Sequence, residues 1–250
     1  MLESSCLSTP PGSSDAECGT MINDSNGSKI NMNLSPQVRG LLPAPSDAPF
    51  VRHAGWLCIA AGTLFLIAQT VMWTFDQSGN LETSQDPVFI AAKIILLAGF
   101  IVLMFGLIAS YGLQASRAGR LGLAAFALAI VGTMMLAGDL WFESFAVPWL
   151  AAGPGAEGLT SPPSVLMGLG AIASYILFAA GWALFGIASV RARVFPLPIS
   201  IAIVLGGIAG YQALLAPWGI PLGIALVILG IWIAWATGRR PARAAATSGR

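Results

Sequence analysis

From Val194 to Gly238 the chain runs for 45 residues without a charged side chain. A water-soluble domain has nowhere to put such a stretch. At ~1.5 Å per residue, one helix of that length would be about twice the ~30 Å thickness of a bilayer's hydrocarbon core. The segment "APWGIP" inside it supplies Pro217, Gly219 and Pro221, which end one helix and start another. The run therefore reads as two crossings, residues 197–215 and 220–237. Four comparable runs precede it: 54–75; 88–111, interrupted only by Lys93; 121–142, with Asp139 near its end; and 165–190, after the helix-breaking "SPPS". The expected fold is all-α, a polytopic bundle of six transmembrane helices. Composition agrees, because 9% charged against 56% hydrophobic residues is too few charges to cover a soluble surface.

Lysine and arginine give the orientation. Lys29, Arg39 and Arg52 precede the first helix, Arg117 and Arg120 lie between the second and third, and Arg191 and Arg193 lie between the fourth and fifth. Arg239, Arg240, Arg243 and Arg250 follow the sixth. The three opposite connections hold none, so of twelve basic residues eleven fall on one side and Lys93 falls inside a span. Positive charge marks the cytoplasmic side, which predicts a multi-pass protein of the plasma (inner) membrane with both termini cytoplasmic. Asp76, Glu82, Asp86 and Glu157 then lie outside. Trp73, Trp141, Trp149 and Trp218 are expected at the outer boundary, Trp56 and Trp235 at the inner one.

Residues 1–49 are rich in Ser, Pro, Gly, Asn and Asp, as in "TPPGSSDAECG". They bury too little apolar area to offset their ordering entropy, and a disordered cytoplasmic tail is expected. Residues 54–238 make the membrane domain and 239–250 a basic cytoplasmic tail. With no signal peptide before it, the first apolar run is expected to remain as an anchor.

Repeated two-helix hairpins are a further expectation. "GTLFLIAQTVMW" in the first helix and "GTMMLAGDLW" in the third align on Gly62-Thr63 and Gly132-Thr133, which sets Gln69 opposite Asp139. The second and fourth helices end alike, in "MFGLIAS" and "LFGIASVRAR". Chance recurrence of Gly, Ala, Ile and Leu is the competing account. Small residues four apart, Gly206/Gly210, Gly219/Gly223 and Gly170/Ser174, predict close helix packing within the chain rather than a dimer contact.

Few residues carry chemistry. His53 is the only histidine, and Cys6, Cys18 and Cys58 show no ligand spacing. Walker A, GxGxxG and HExxH patterns are missing, so no cofactor, metal or catalytic residue is expected and the reading leans away from an enzyme. No basic face suits nucleic acid; the expected partners are the lipid bilayer and a small-molecule ligand.

That ligand is expected among ionisable groups at membrane depth, which usually face protein or water rather than lipid. Asp139 and Glu143, four apart, share a helical face and would repel unless paired, hydrated or protonated. Lys93 lies six residues after Pro87, roughly 9 Å below the outer boundary. Its stem can reach Asp139, which lies near the same level. Gln69 adds an amide at similar depth, with Tyr211 and Gln212 near the rim. Gln69, Lys93, Asp139 and Glu143 are thus the candidate ligand-binding residues of an outward-facing polar pocket. The alternative is a structural or regulatory subunit whose polar groups only hold helices together or meet headgroups.

"GDLWFESFAVPWLA" (Gly138–Ala151) and "GWALFGIASVRARVFP" (Gly181–Pro196) resemble segments of small six-span integral membrane proteins common in high-GC Gram-positive bacteria, a group without assigned function. The likeness covers residues 54–238 and implies a six-helix inner-membrane protein. It transfers no catalytic residue.

Overall fold

The computed structural model describes residues 22–23, 29–30, 53–77, 81–153, 155–161 and 164–238. The chain divides into Met1–Ala44 and Pro45–Arg250. In the first unit, β1 (Ile22–Asn23) pairs antiparallel with β2 (Lys29–Ile30). The expected disorder of residues 1–49, and the tail 239–250, otherwise lie outside the described residues.

The regular elements of the second unit are helices: α1 (Ala54–Met72), α2 (Leu81–Gln85), α3 (Pro87–Trp141), a π-turn (Phe142–Ala146), α4 (Val147–Ala151), α5 (Ala156–Thr160), α6 (Val165–Ala192), α7 (Leu197–Ala209), a 3-10 turn (Gly210–Gln212) and α8 (Ile220–Gly238). Local chemistry explains the boundaries. Asp86 caps α3 by accepting from the amides of Val88 and Phe89, at 2.7 and 3.1 Å, with Pro87 in the first turn, where its missing N–H costs nothing. Ser164 caps α6 in the same way, accepting from Met167 N at 3.2 Å.

Within α3 the backbone breaks at Gly119, whose φ of 59° and ψ of −156° lie where side chains are scarcely tolerated. Two limbs result, α3a (residues 87–118) and α3b (residues 120–141), and they fold back on each other. Tyr111 stacks on Phe126 at 4.3 Å, and Lys93 meets Glu143; both pairs are centred within a residue of Gly119. The expected loop between residues 111 and 121 is therefore helix on both sides of one glycine, because Ser, Ala and Arg propagate helix well enough once begun. The third helix, expected to stop at residue 142, instead continues through the π-turn into α4. Pro148 supplies a reason: it has no N–H to give the Ser144 carbonyl and its ring would strike it, so the preceding turn widens. The fifth helix stops at Ala209, short of the expected 215.

Five helices close a ring. α1 lies on α3a (Phe65 and Phe100 rings 4.8 Å apart), α3a on α6 (Phe100 and Phe178, 5.6 Å), and α6 on α7, where a Cβ on Gly186 would lie 2.6 Å from Val204. α7 then lies on α8, Gly206 against Leu222, and α8 returns to α1, with Gly230 against Gly55 and Gly223 against Gly62. The limb α3b sits outside the ring, against α6 and α3a. There a Cβ on Gly181 would stand only 2.5 Å from Ala129 Cα, so the two backbones touch. Of the small residues singled out from sequence, Gly206 and Gly223 lie at such contacts, while Gly170 faces open space. The repeat-aligned pairs occupy unlike settings: Gly62 meets α8 and Gly132 meets α6, and Thr63 is exposed where Thr133 is buried.

Phe65, Phe100, Phe178, Trp182 and Phe185 fill the interior, all fully buried or nearly so. The exterior is no less apolar: Leu166, Leu205 and Ile231 are 82, 60 and 56% exposed. Apolar residues inside and out suit a lipid solvent. Ala54–Met72, Pro87–Ala151 and Val165–Ala192 are long and apolar enough to cross a membrane, and Leu197–Gln212 and Ile220–Ala236 are shorter apolar helices.

The ends differ in character. α3a runs parallel to α6, since Phe100 meets Phe178 and Gln114 accepts from Ser189, and α1 runs antiparallel to both. Arg117, Arg120, Arg191 and Arg193 therefore gather at the end where α1 begins and α8 finishes. Asp76, Glu82, Asp86 and Glu157 lie at the opposite end.

Candidate functional site

The acidic end holds a cavity. Its floor is set by the second turn of α3a, where Lys93 stands one helical turn beyond Phe89. The Lys93 ammonium lies 4.8 Å from the Phe89 ring centre and donates to Glu143 Oε2 at 2.7 Å. Lys93 is 14% exposed and Glu143 34%, so the pair is partly desolvated but not sealed. Two unit charges at 2.7 Å attract by about 6 kcal/mol at an effective dielectric near 20. Desolvation offsets much of that, so the net worth lies between a surface pair and a sealed one.

Lysine thus pairs with Glu143, whereas sequence reasoning favoured Asp139. The backbone stays α-helical through Phe142, whose amide donates to Gly138 O, so the two carboxylates share a face and part only through their side chains. Glu143 reaches α3a, while Asp139 reaches α6 and accepts from Ser174 Oγ. The repulsion expected between neighbouring carboxylates is relieved by giving each its own partner. Tyr175, next to Ser174, lies within electrostatic range of both carboxylates, and its ring is 6.0 Å from that of Tyr211.

Gln69 has a different part. It is fully buried, donates to Ala213 O at 2.6 Å and accepts from Gly219 N at 3.4 Å. Its amide fastens the crossing between α7 and α8 onto α1 and does not reach the cavity. Gln77 does the same nearer the surface: its amide oxygen accepts from Ala216 N at 2.8 Å and its nitrogen donates to Ala216 O at 3.2 Å. Gln85 ties α2 to α4 by donating to Ala151 O at 2.9 Å.

These ties frame a cavity of about 230 Å³, against the ~10–15 Å³ that one water needs. Lys93 and Glu143 line it, with Asp76, Gln77, Thr83 and Ser84 towards the mouth and Met72, Phe89, Val147, Leu159, Leu214 and Leu215 as apolar wall. An ion pair set in apolar walls and open on one side has the make-up of a site that can orient a small polar molecule.

Of the four residues expected at the site, Lys93 and Glu143 meet in the cavity, Asp139 lies behind it with Ser174, and Gln69 braces its rim. Ser174 had been read only as a small packing residue, although a serine on a helix facing an intramembrane carboxylate is a natural donor. Phe89 carried a signal too, one turn before the only intramembrane lysine. The roof formed by α2, α4 and α5 had none, because helices of five residues leave no periodicity to read. No protein family matches this chain, and no curated protein or solved structure is similar to it.

Proposed function

We propose that the chain crosses the inner membrane six times, with both termini cytoplasmic, and binds a small molecule from the outer side as a carrier or binding protein. Supporting the six crossings, α3 divides at Gly119 into limbs of 32 and 22 residues, each long enough for about 30 Å of hydrocarbon. Arginines at one end of the bundle and carboxylates at the other support the orientation. The observation that carries the functional reading is the cavity whose wall holds the Lys93–Glu143 pair. Ionisable groups at such depth are costly and tend to mark sites.

A second reading is a non-catalytic structural or regulatory subunit. It is favoured by one observation: Lys93–Glu143, Asp139–Ser174 and Gln69–Ala213 each tie two segments together.

Cysteine accessibility separates the two. In a variant lacking the native cysteines, Thr83→Cys at the cavity should react with a membrane-impermeant maleimide in intact cells. Ser116→Cys, at the arginine end, should react only after the cells are opened. The reverse pattern would invert the orientation, and a Thr83→Cys thiol closed to reagent on both sides would sink the pocket.

A further inference from the structure

The charges on the cavity wall narrow what it accepts. Lys93 and Glu143 already satisfy each other at 2.7 Å. A ligand with one charge would take one partner and leave the other half-buried and unpaired, which is the costly way to break an ion pair. A ligand with a carboxylate and an ammonium on one carbon can exchange both halves at once. From these observations we infer that the cavity binds a small zwitterion of the amino-acid type with an apolar side chain, an inference that rests on the pocket reading above. The ligand carboxylate accepts from the Lys93 ammonium, and the ligand ammonium donates to Glu143. Apart from Gln77, Thr83 and Ser84 towards the mouth, the wall is side-chain hydrocarbon such as Met72, Val147, Leu159 and Leu214, with the Phe89 ring beside the ion pair, which suits an apolar remainder of the ligand. A cavity of about 230 Å³ accommodates a single small side chain.

Three compounds with one carbon skeleton test this: leucine, 4-methylpentanoate, which lacks the ammonium, and 3-methylbutylamine, which lacks the carboxylate. The readout is the rate at which Thr83→Cys is labelled from outside in the full chain. At a concentration ~10 times its Kd, leucine should slow labelling about tenfold by mass action. Neither singly charged analogue should do so at the same concentration. Removing one half of the pair should switch the preference: Lys93→Met should respond to the amine and Glu143→Gln to the carboxylate, each variant first checked for folding by size exclusion. Protection by an analogue equal to that by leucine in the unsubstituted wall would overturn the zwitterion assignment and leave the pocket standing. Labelling that none of the three slows would do the same. Absence of labelling from outside would overturn the pocket reading and this inference together.

Discussion

Helix α6 offers one substitution with opposite consequences at two positions eleven residues apart. At Gly181 an added Cβ would lie 2.5 Å from both the Cα and N of Ala129, where ordinary contact begins at 3.4 Å. Gly181→Ala therefore parts α6 from α3b by about 0.9 Å. A gap of that size forfeits a quarter to a half of the dispersion well along the contact. It also stretches the neighbouring bond from Trp182 Nε1 to Thr133 Oγ1, now 3.1 Å. Overpacking of this kind costs about 1–3 kcal/mol; taking about 2 kcal/mol, the melting temperature falls by about 4–8 °C for a chain of this size. At Gly170 nothing lies within 4 Å, so Gly170→Ala meets no obstacle and gains up to ~1 kcal/mol of helix propensity. Thermal unfolding of the two purified variants in one detergent, followed by the loss of the monodisperse peak, compares them directly. If Gly181→Ala unfolds where Gly170→Ala does, the backbones of α6 and α3b are not in contact and the placing of α3b against the ring is wrong.

The ion pair makes a second prediction. Lys93→Met and Glu143→Leu should each lower stability by about 1–3 kcal/mol, and the double variant should recover at least ~1 kcal/mol of the sum; strictly additive losses in a thermal-unfolding cycle would mean the charges do not interact. Buried polar groups with and without partners give a third. Gln69→Leu strands Ala213 O and Gly219 N and should cost about 2–3 kcal/mol, whereas Ser200→Ala removes a buried hydroxyl that has no hydrogen-bond partner among the described residues and should be neutral or stabilising. Equal losses at the two positions would contradict that contrast.

What the sequence made legible, and what it hid, follows the range of the forces concerned. Uncharged runs such as Val194–Gly238 announce helices because the pattern is local and long. The connection at Arg117 and Arg120 could be placed from its charges, yet the absence of a loop there could not, since it depends on Gly119 adopting a positive φ. The depth of Lys93 and of the two carboxylates could be counted from helical rise. Which carboxylate the lysine takes could not, because both stand within one helical turn and the choice depends on Ser174, carried by another helix. Gln69 shows the limit of alignment. Its match to Asp139 suggested a shared chamber, but its partners, Ala213 and Gly219, lie about 150 residues along the chain and follow no sequence rule.

The ring of five helices is closed by its first and last members, and this bears on how the protein is made. Gly55 and Gly62 of α1 find their partners, Gly230 and Gly223, only on α8. If the helices enter a membrane in chain order, that face of α1 would stay against lipid until α8 arrives and covers it. A nascent chain cut short before α8 would hold most of the helices and lack the closing seam, and would show membrane quality control an open small-residue groove. In that case the closed seam between α1 and α8 would mark a chain whose described helices are all in place.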